Sequence, residues 1–329
     1  MMQKDPTDRL SAEEYMIQQK GKAFPDYFYP FLKTFMQRFA SAPVMSEDEK
    51  VMRIKREWQL IMSSLNVSET DPEENASLVI IISFLTSLLR NLQFEKSKLT
   101  ELELLVELSK YVCADVVLDR IIPFLLFMVN DPFPRVRAEA IRSITKCVVG
   151  IKTVPLSDAN IFPEYILPQI SHLTQDSIVA VRVAFAENIA QLAKAASRFL
   201  EIAQLSSQPE VSTGDTGSSV VSQSNASYDI ELQPLHEMIQ QKVVSLICDP
   251  ENIVKQTLLE NGITQLCVFF GRQKASDVLL SHMITFLNDK RDWHLRGAFF
   301  DAAVGIASYI GWQSSTILKP LLQQVSVSF

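Results

Sequence analysis

The amino-acid sequence predicts an all-α chain built as a solenoid of paired antiparallel helices, and three observations predict it. Glycine is scarce, at 9 of 329 residues, where a large barrel or open sheet would use more for its turns and bulges. Apolar residues recur at helical spacing over most of the length. From about residue 116 one pattern of helix, turn and helix returns four times. Length agrees, because 329 residues exceed what one compact core usually holds, so the chain must divide or extend by repetition.

Taken in order, DPTDRLSAEEYMIQQK reads as a turn and a short helix, with Ser11 as N-cap and Glu14 at the capping-box position. GKAFPDYFYPFLKTFMQRFA is dense in aromatics, interrupted by Pro25 and Pro30, and reads as a segment that packs against something. Ser46 caps one helix of about five turns over SEDEKVMRIKREWQLIMSSL, with acidic residues in its first turn. After the polar break DPEENAS, SLVIIISFLTSLLRNL is apolar nearly all round, as in a helix covered on several sides. KLTELELLVELSKYV carries an amphipathic pattern at Leu99, Leu102, Leu105 and Val106. Residues 21–115 are therefore expected to form a linker and N-terminal helical, HEAT-like repeats.

The repeats proper are clearer. VLDRIIPFLLFMVND, EYILPQISHLTQD, HEMIQQKVVSLICD and DVLLSHMITFLND are apolar helices that each end in Asp. A short turn and a second helix follow, marked by Val136-Arg137, Val181-Arg182, Val254-Lys255 and Leu295-Arg296. The first two landmarks lie 45 residues apart and the last two 41. The middle gap of 73 contains a Ser-, Gly- and Thr-rich stretch, residues 204–229, and removing its 26 residues leaves 47. That stretch is expected to be a disordered insertion. A period of 41–47 residues places the repeats in the HEAT or armadillo range, over 116–203 and 230–324.

Asp131 to Arg137, Asp176 to Arg182 and Asp249 to Lys255 are each six residues apart, and Asp289 to Arg296 is seven. Each Asp ends a first helix and each base opens a second. In a stack these groups are expected to pair within and between repeats as a structural ladder, shielded better than an isolated surface pair; solvated helix-end charges are the alternative. Stacked helices of this kind present a long surface suited to proteins.

Several classes of function are disfavoured. A net charge of −7 and a pI near 5.3 oppose nucleic-acid binding, which uses a basic stripe. Runs such as Leu78–Leu85 are too short for direct membrane insertion. Position 2 is Met, so neither a myristoylation site nor a signal peptide is read, and the sequons at Asn66, Asn75 and Asn225 carry no expectation of glycosylation. Cys113, Cys147, Cys248 and Cys267 sit in apolar runs without a C-x-x-C pair, as expected of buried free thiols in a reducing compartment. No phosphate-binding glycine loop, nucleophile elbow or H-E-x-x-H helix occurs. No catalytic, cofactor-binding or metal residue is therefore expected, the histidines His172, His236, His282 and His294 included. Asn261-Gly262 reads as a kink or close helix contact. In NDKRDWHLRGAFFD, Arg291 and Trp293 are candidate interface anchors, with a Trp293 buried between repeats as the alternative.

DPTDRLSAEEY, with Arg9, resembles the last conserved stretch of a protein-kinase C-lobe. Onward, GKAFPDYFYPFL, RVRAEAIRSITK, IFPEYILPQISHLTQD, DPENIVKQTLLENGIT and FLNDKRDWHLRGAFFDAAVGIASYIGWQSS resemble the regulatory subunits of class III phosphatidylinositol 3-kinase, to about Gln324. That resemblance implies a kinase-like domain, a HEAT-repeat middle and a WD-repeat propeller. On it, residues 1–20 are a remnant of the kinase-like domain and 325–329 a divergent tail. The nucleotide loop, catalytic Asp and D-F-G are missing, so the chain is expected not to be an enzyme, although the family is classed as serine/threonine kinase. The implied partners are the lipid kinase catalytic subunit and its autophagy and endosomal adaptor subunits. The implied location is cytoplasmic, peripheral to endosome, autophagosome and other endomembranes through the complex. The alternative is a HEAT-repeat transport or adaptor protein that carries basic cargo.

Overall fold

In a computed structural model, described for residues 9–68, 70–154, 156–207, 217–289, 292–311 and 318–319, the regular elements are helical, with one isolated bridge between Lys20 and Phe24. The chain divides into two compact units, Met1–Cys113 and Ala114–Phe329.

In the first unit, α1 (Ala12–Gln18) opens on a capping box. Glu14 N–H donates to Ser11 Oγ at 3.3 Å, and Ser11 N–H donates back to the Glu14 carboxylate at 2.7 Å. The aromatic segment leads into α2 (Leu32–Ala40), where Phe31 stacks on Phe35, Phe35 meets Phe39 edge-on, and Phe39 lies 4.9 Å from Phe84. These rings supply apolar area that short helices alone lack. The expected five-turn helix is two pieces, α3 (Glu47–Arg56) and α4 (Trp58–Ser64), broken at Glu57. The Glu57 carboxylate accepts from Arg53, four residues back, at 2.9 Å and lies 3.8 Å from Arg38 of α2. Helix α5 (Leu78–Leu88) buries six side chains and exposes Ser83 and Ser87. Helix α6 (Glu95–Leu108) buries Ser97, Lys98, Glu101, Leu102, Leu104, Leu105 and Leu108, whereas Leu99 and Val106 are half-buried. Its inner face is rotated toward Glu101 because it packs on both α3 and α5.

The second unit repeats a two-helix element. The pairs are α7 (114–128) with α8 (Pro134–Gly150), then α9 (162–175) with α10 (Val179–Ser207). Next come α11 (Gly217–Ile247) with α12 (Asn252–Asn261) and α13 (Ile263–Lys274), then α14 (275–288) with α15 (Trp293–Ile310). The second helices form a continuous layer: α8 packs on α10, α10 on α12, and both α12 and α13 on α15. Their buried faces interleave Ala with Leu, Ile, Val and Phe, for example Ala184, Phe185, Ile189 and Ala193, which lets neighbouring helices approach closely.

Three first helices carry a π turn at or near their start, at Val117–Ile121, Phe162–Ile166 and Ala275–Leu280, each beginning fourteen residues before the Asp that ends its repeat's first helix. In α7 and α9 a proline, Pro123 or Pro168, follows eight residues before that Asp. Its missing N–H leaves the carbonyl one turn back without an ordinary helical partner, and widening the preceding turn accommodates this.

Helix α10 continues to Ser207 and the backbone is helical again from Gly217; residues 208–216 lie outside the described residues. At Gly262 the second helix of the third repeat breaks (φ −146°), and a Cβ there would lie 2.8 Å from Cβ of Ala190. Kink and close contact occur together. Cys147 and Cys267 are buried, Cys113 is half-buried, but Cys248 is exposed, because it lies in the turn just after α11 ends at Ile247.

Candidate interaction edge at the inter-helix turns

Each repeat places its Asp where the first helix stops, and the side chain closes the turn. Asp131 Oδ1 accepts from Phe133 N–H at 2.9 Å, Asp176 Oδ1 from Ile178 N–H at 2.9 Å, and Asp249 Oδ1 from Glu251 N–H at 2.8 Å. These are Asx turns, which satisfy a backbone donor left over at the helix start. In the fourth repeat Asp289 Oδ1 accepts instead from Asp292 N–H, three residues on, at 3.1 Å. That longer reach accounts for the seven-residue spacing there.

The bases tie the turns together in two directions. Arg137 donates from Nη1 to the backbone carbonyl of its own Asp131 at 2.9 Å, and from Nε and Nη2 to the Asp176 carboxylate at 2.7 and 2.8 Å. Arg182 repeats this with the Asp176 carbonyl at 2.7 Å and the Asp249 carboxylate at 2.7 and 3.1 Å. Within a repeat the Asp thus holds its base through the main chain, and between repeats through a two-pronged ion pair. Arg296 donates to the carbonyl of Asp289.

The third rung differs. Lys255 is too short and too narrow for the fork; its ammonium donates to Asn252 Oδ1 at 3.0 Å and lies over the Phe286 ring. Asn252 Nδ2 relays the contact onward to Asp289 at 2.8 Å and Asp292 at 3.1 Å.

These bridges sit in a sheltered strip. Side-chain exposure is 10% for Arg182 and 3% for Asp249. Burial pushes the Asp176 carboxyl upward, yet hydrogen bonds from Arg137 and Ile178 N–H and the charges of Arg137 and His172 hold it below the usual carboxylate range. The hydrogen bond to Asp249 raises the Arg182 guanidinium above its ordinary value, against burial. Along the edge, Ile178, Ile253 and Trp293 are exposed at 40, 50 and 65%. Trp293 therefore does not plug a gap between repeats; its ring lies against His294 at the start of α15. Arg291 lies outside the described residues.

The remaining histidines have local explanations. His282 Nδ1 donates to Val278 O at 2.6 Å, and His236 packs edge-on against Phe269 and Phe270. Burial, together with the Lys274 charge, lowers the His236 pKa. Among the described residues no group of three or more His, Cys, Asp or Glu side chains could hold a metal ion, and no helix is long and apolar enough to cross a membrane.

One feature escaped sequence reasoning. Glu101 is fully buried in the first unit, and neither carboxylate oxygen has a hydrogen-bond partner. Asp48 of α3 lies close enough to act on it, while Asp48 itself accepts from Gln93 and Phe94 N–H at 3.2 and 3.1 Å. Burial and the Asp48 charge push the Glu101 carboxyl well above its ordinary range. The only signal was a Glu between two leucine positions of an amphipathic helix.

Paired helices stacked through close small-residue contacts and tied along one edge by Asp–Arg bridges define an all-α helical-repeat solenoid. Residues 81–326 match the family described as PIK3R4-like, middle domain, and the chain belongs to that family. It is 38% identical, over 71% of its length, to the probable serine/threonine-protein kinase vps15 of Dictyostelium discoideum, of which it covers 12%. It is 34% identical over 69% of its length to serine/threonine-protein kinase VPS15 of Arabidopsis thaliana, covering 16% of that protein. A non-specific serine/threonine protein kinase of Candida glabrata is 32% identical over 94% of the chain, and the chain covers 25% of it. The chain thus spans a quarter or less of these relatives' lengths.

Proposed function

We propose that the chain acts as a non-catalytic scaffold, a HEAT-class regulatory region that binds and organises the class III phosphatidylinositol 3-kinase complex. The observation that carries this reading is the family match over residues 81–326, which falls on the paired-helix stack. The partners are the lipid kinase catalytic subunit and its autophagy and endosomal adaptor subunits, and the location is cytoplasmic, peripheral to endosomes and autophagosomes through that complex. The Asp–base ladder keeps the repeats in register so that one extended surface is presented. Arg291 and Trp293 are proposed as anchors at the turn edge, since an exposed Trp beside a basic residue suits a protein interface.

The kinase names of the relatives describe proteins several times longer. The scaffold reading assigns no phosphoryl transfer to this sequence, which has no glycine-rich phosphate loop. A pull-down with the class III lipid kinase tests the reading: the folded chain recovers the kinase, and Trp293→Ala weakens recovery without lowering helicity. Folded chain that fails to recover the kinase opposes it, as does ATP binding by the chain alone.

A further inference from the structure

We infer that the joint between the third and fourth repeats is the hinge of the second unit, the seam at which its stack opens first. One register position plays the same part at three successive joints. At the first two, an Arg fork crosses directly to the next repeat's Asp, with both prongs between 2.7 and 3.1 Å. At the third the fork is replaced by Lys255, and the crossing runs through the neutral amide of Asn252. Lys255 and Asn252 sit on the same helix, so the crossing itself is the Asn252 amide on the Asp289 and Asp292 carboxylates, and a neutral amide donor holds a carboxylate less strongly than a two-pronged guanidinium.

A cavity of about 240 Å³ opens at this joint, lined by Ile247 and Cys248 at the end of the third repeat's first helix, His282 and Phe286 on the next, and Lys255 and Asp289 at the rung. Side chains that line such a gap make fewer contacts across it, so the facing helices cohere less where the bridge is already weakest. The second helices remain in close contact on the other side of the layer, where a Cβ on Gly305 would lie 2.7 Å from Thr264 Oγ1. One side is tight and the other open, and that geometry makes a hinge.

The test is hydrogen exchange by mass spectrometry on the whole chain, followed peptide by peptide. Peptides over 277–289 and 293–300 are expected to exchange on the order of tenfold faster than their counterparts over 164–176 and 179–190, the change expected from one charge-assisted bond. Lys255→Arg combined with Asn252→Val recreates the second joint, which has Arg182 and Val179 at these positions, and is expected to erase that difference. Arg182→Lys is expected to move fast exchange to the second joint. Equal protection at all three joints overturns the inference, as does a double variant that folds with unchanged rates over 277–300. If the double variant fails to fold, the Arg182→Lys result decides: unchanged exchange over 236–255 overturns the hinge.

Discussion

Arg182 and Asp249 are 67 residues apart in sequence, yet the guanidinium grips both carboxylate oxygens, at 2.7 and 3.1 Å. With both groups nearly buried, removing one leaves the other as an uncompensated charge. Arg182→Leu is expected to destabilise the second unit by about 3–5 kcal/mol, read as a fall in the midpoint of chemical denaturation. Arg182→Leu with Asp249→Leu is expected to recover most of that loss, since the desolvation penalty goes with the charges.

Asp176 makes the ladder acid-sensitive. Its carboxyl is held below the usual range in the fold, so its contribution is present above the unfolded-state pKa and lost as pH falls through the folded value. Asp176→Asn is expected to lower stability at pH 7 and to flatten the acid limb of the stability–pH curve below about pH 4. Denaturation midpoints across pH 3–7 check this.

Glu101 acts with the opposite sign. Its carboxyl is raised by burial and by Asp48, so its favourable contribution is complete below the unfolded-state pKa and declines as pH rises through the folded value. Glu101→Gln is expected to stabilise the first unit at neutral pH and to flatten the decline that sets in as pH rises above the ordinary carboxylate range. Glu101→Met is expected to gain about 1–3 kcal/mol at pH 7 by removing an unpaired buried group. Unfolding measured at pH 5 and pH 8 reads both signs.

Gly262 stands where two helices nearly touch. A Cβ there meets Cβ of Ala190 at 2.8 Å, and neither atom can rotate away. Gly262→Ala is expected to cost about 1–3 kcal/mol, with recovery on adding Ala190→Gly. Gly305→Ala is expected to cost less, because its close neighbour, the Thr264 hydroxyl, sits on a side chain that can turn. A double-mutant cycle on thermal midpoints separates the two cases.

The cysteines differ by environment. Burial pushes the Cys267 thiol up to about 12, so it is unreactive at neutral pH. Thiol titration of the native chain is expected to label exposed Cys248 first and to reach Cys147 and Cys267 only on unfolding.

Much of the architecture was legible in the sequence because it is written locally. The Ser11 cap needs only residues three apart, and amphipathic spacing marks helices whether or not their neighbours are known. The four Asp–base spacings were also visible, since a turn of fixed geometry demands them. Which Asp each Arg grips was not, because the pairing crosses to the next repeat over 39 residues for Arg137 and 67 for Arg182.

The sequence by itself therefore determined an all-α repeat chain, its period and the residues at its turns, because helical periodicity and turn chemistry act within a few residues. Tertiary structure alone decided that the third rung runs through Asn252, that Glu101 is sealed without a partner, and that Trp293 faces outward. Those outcomes depend on which side chains from distant positions fill the same space, and burial and packing are properties of the assembled stack.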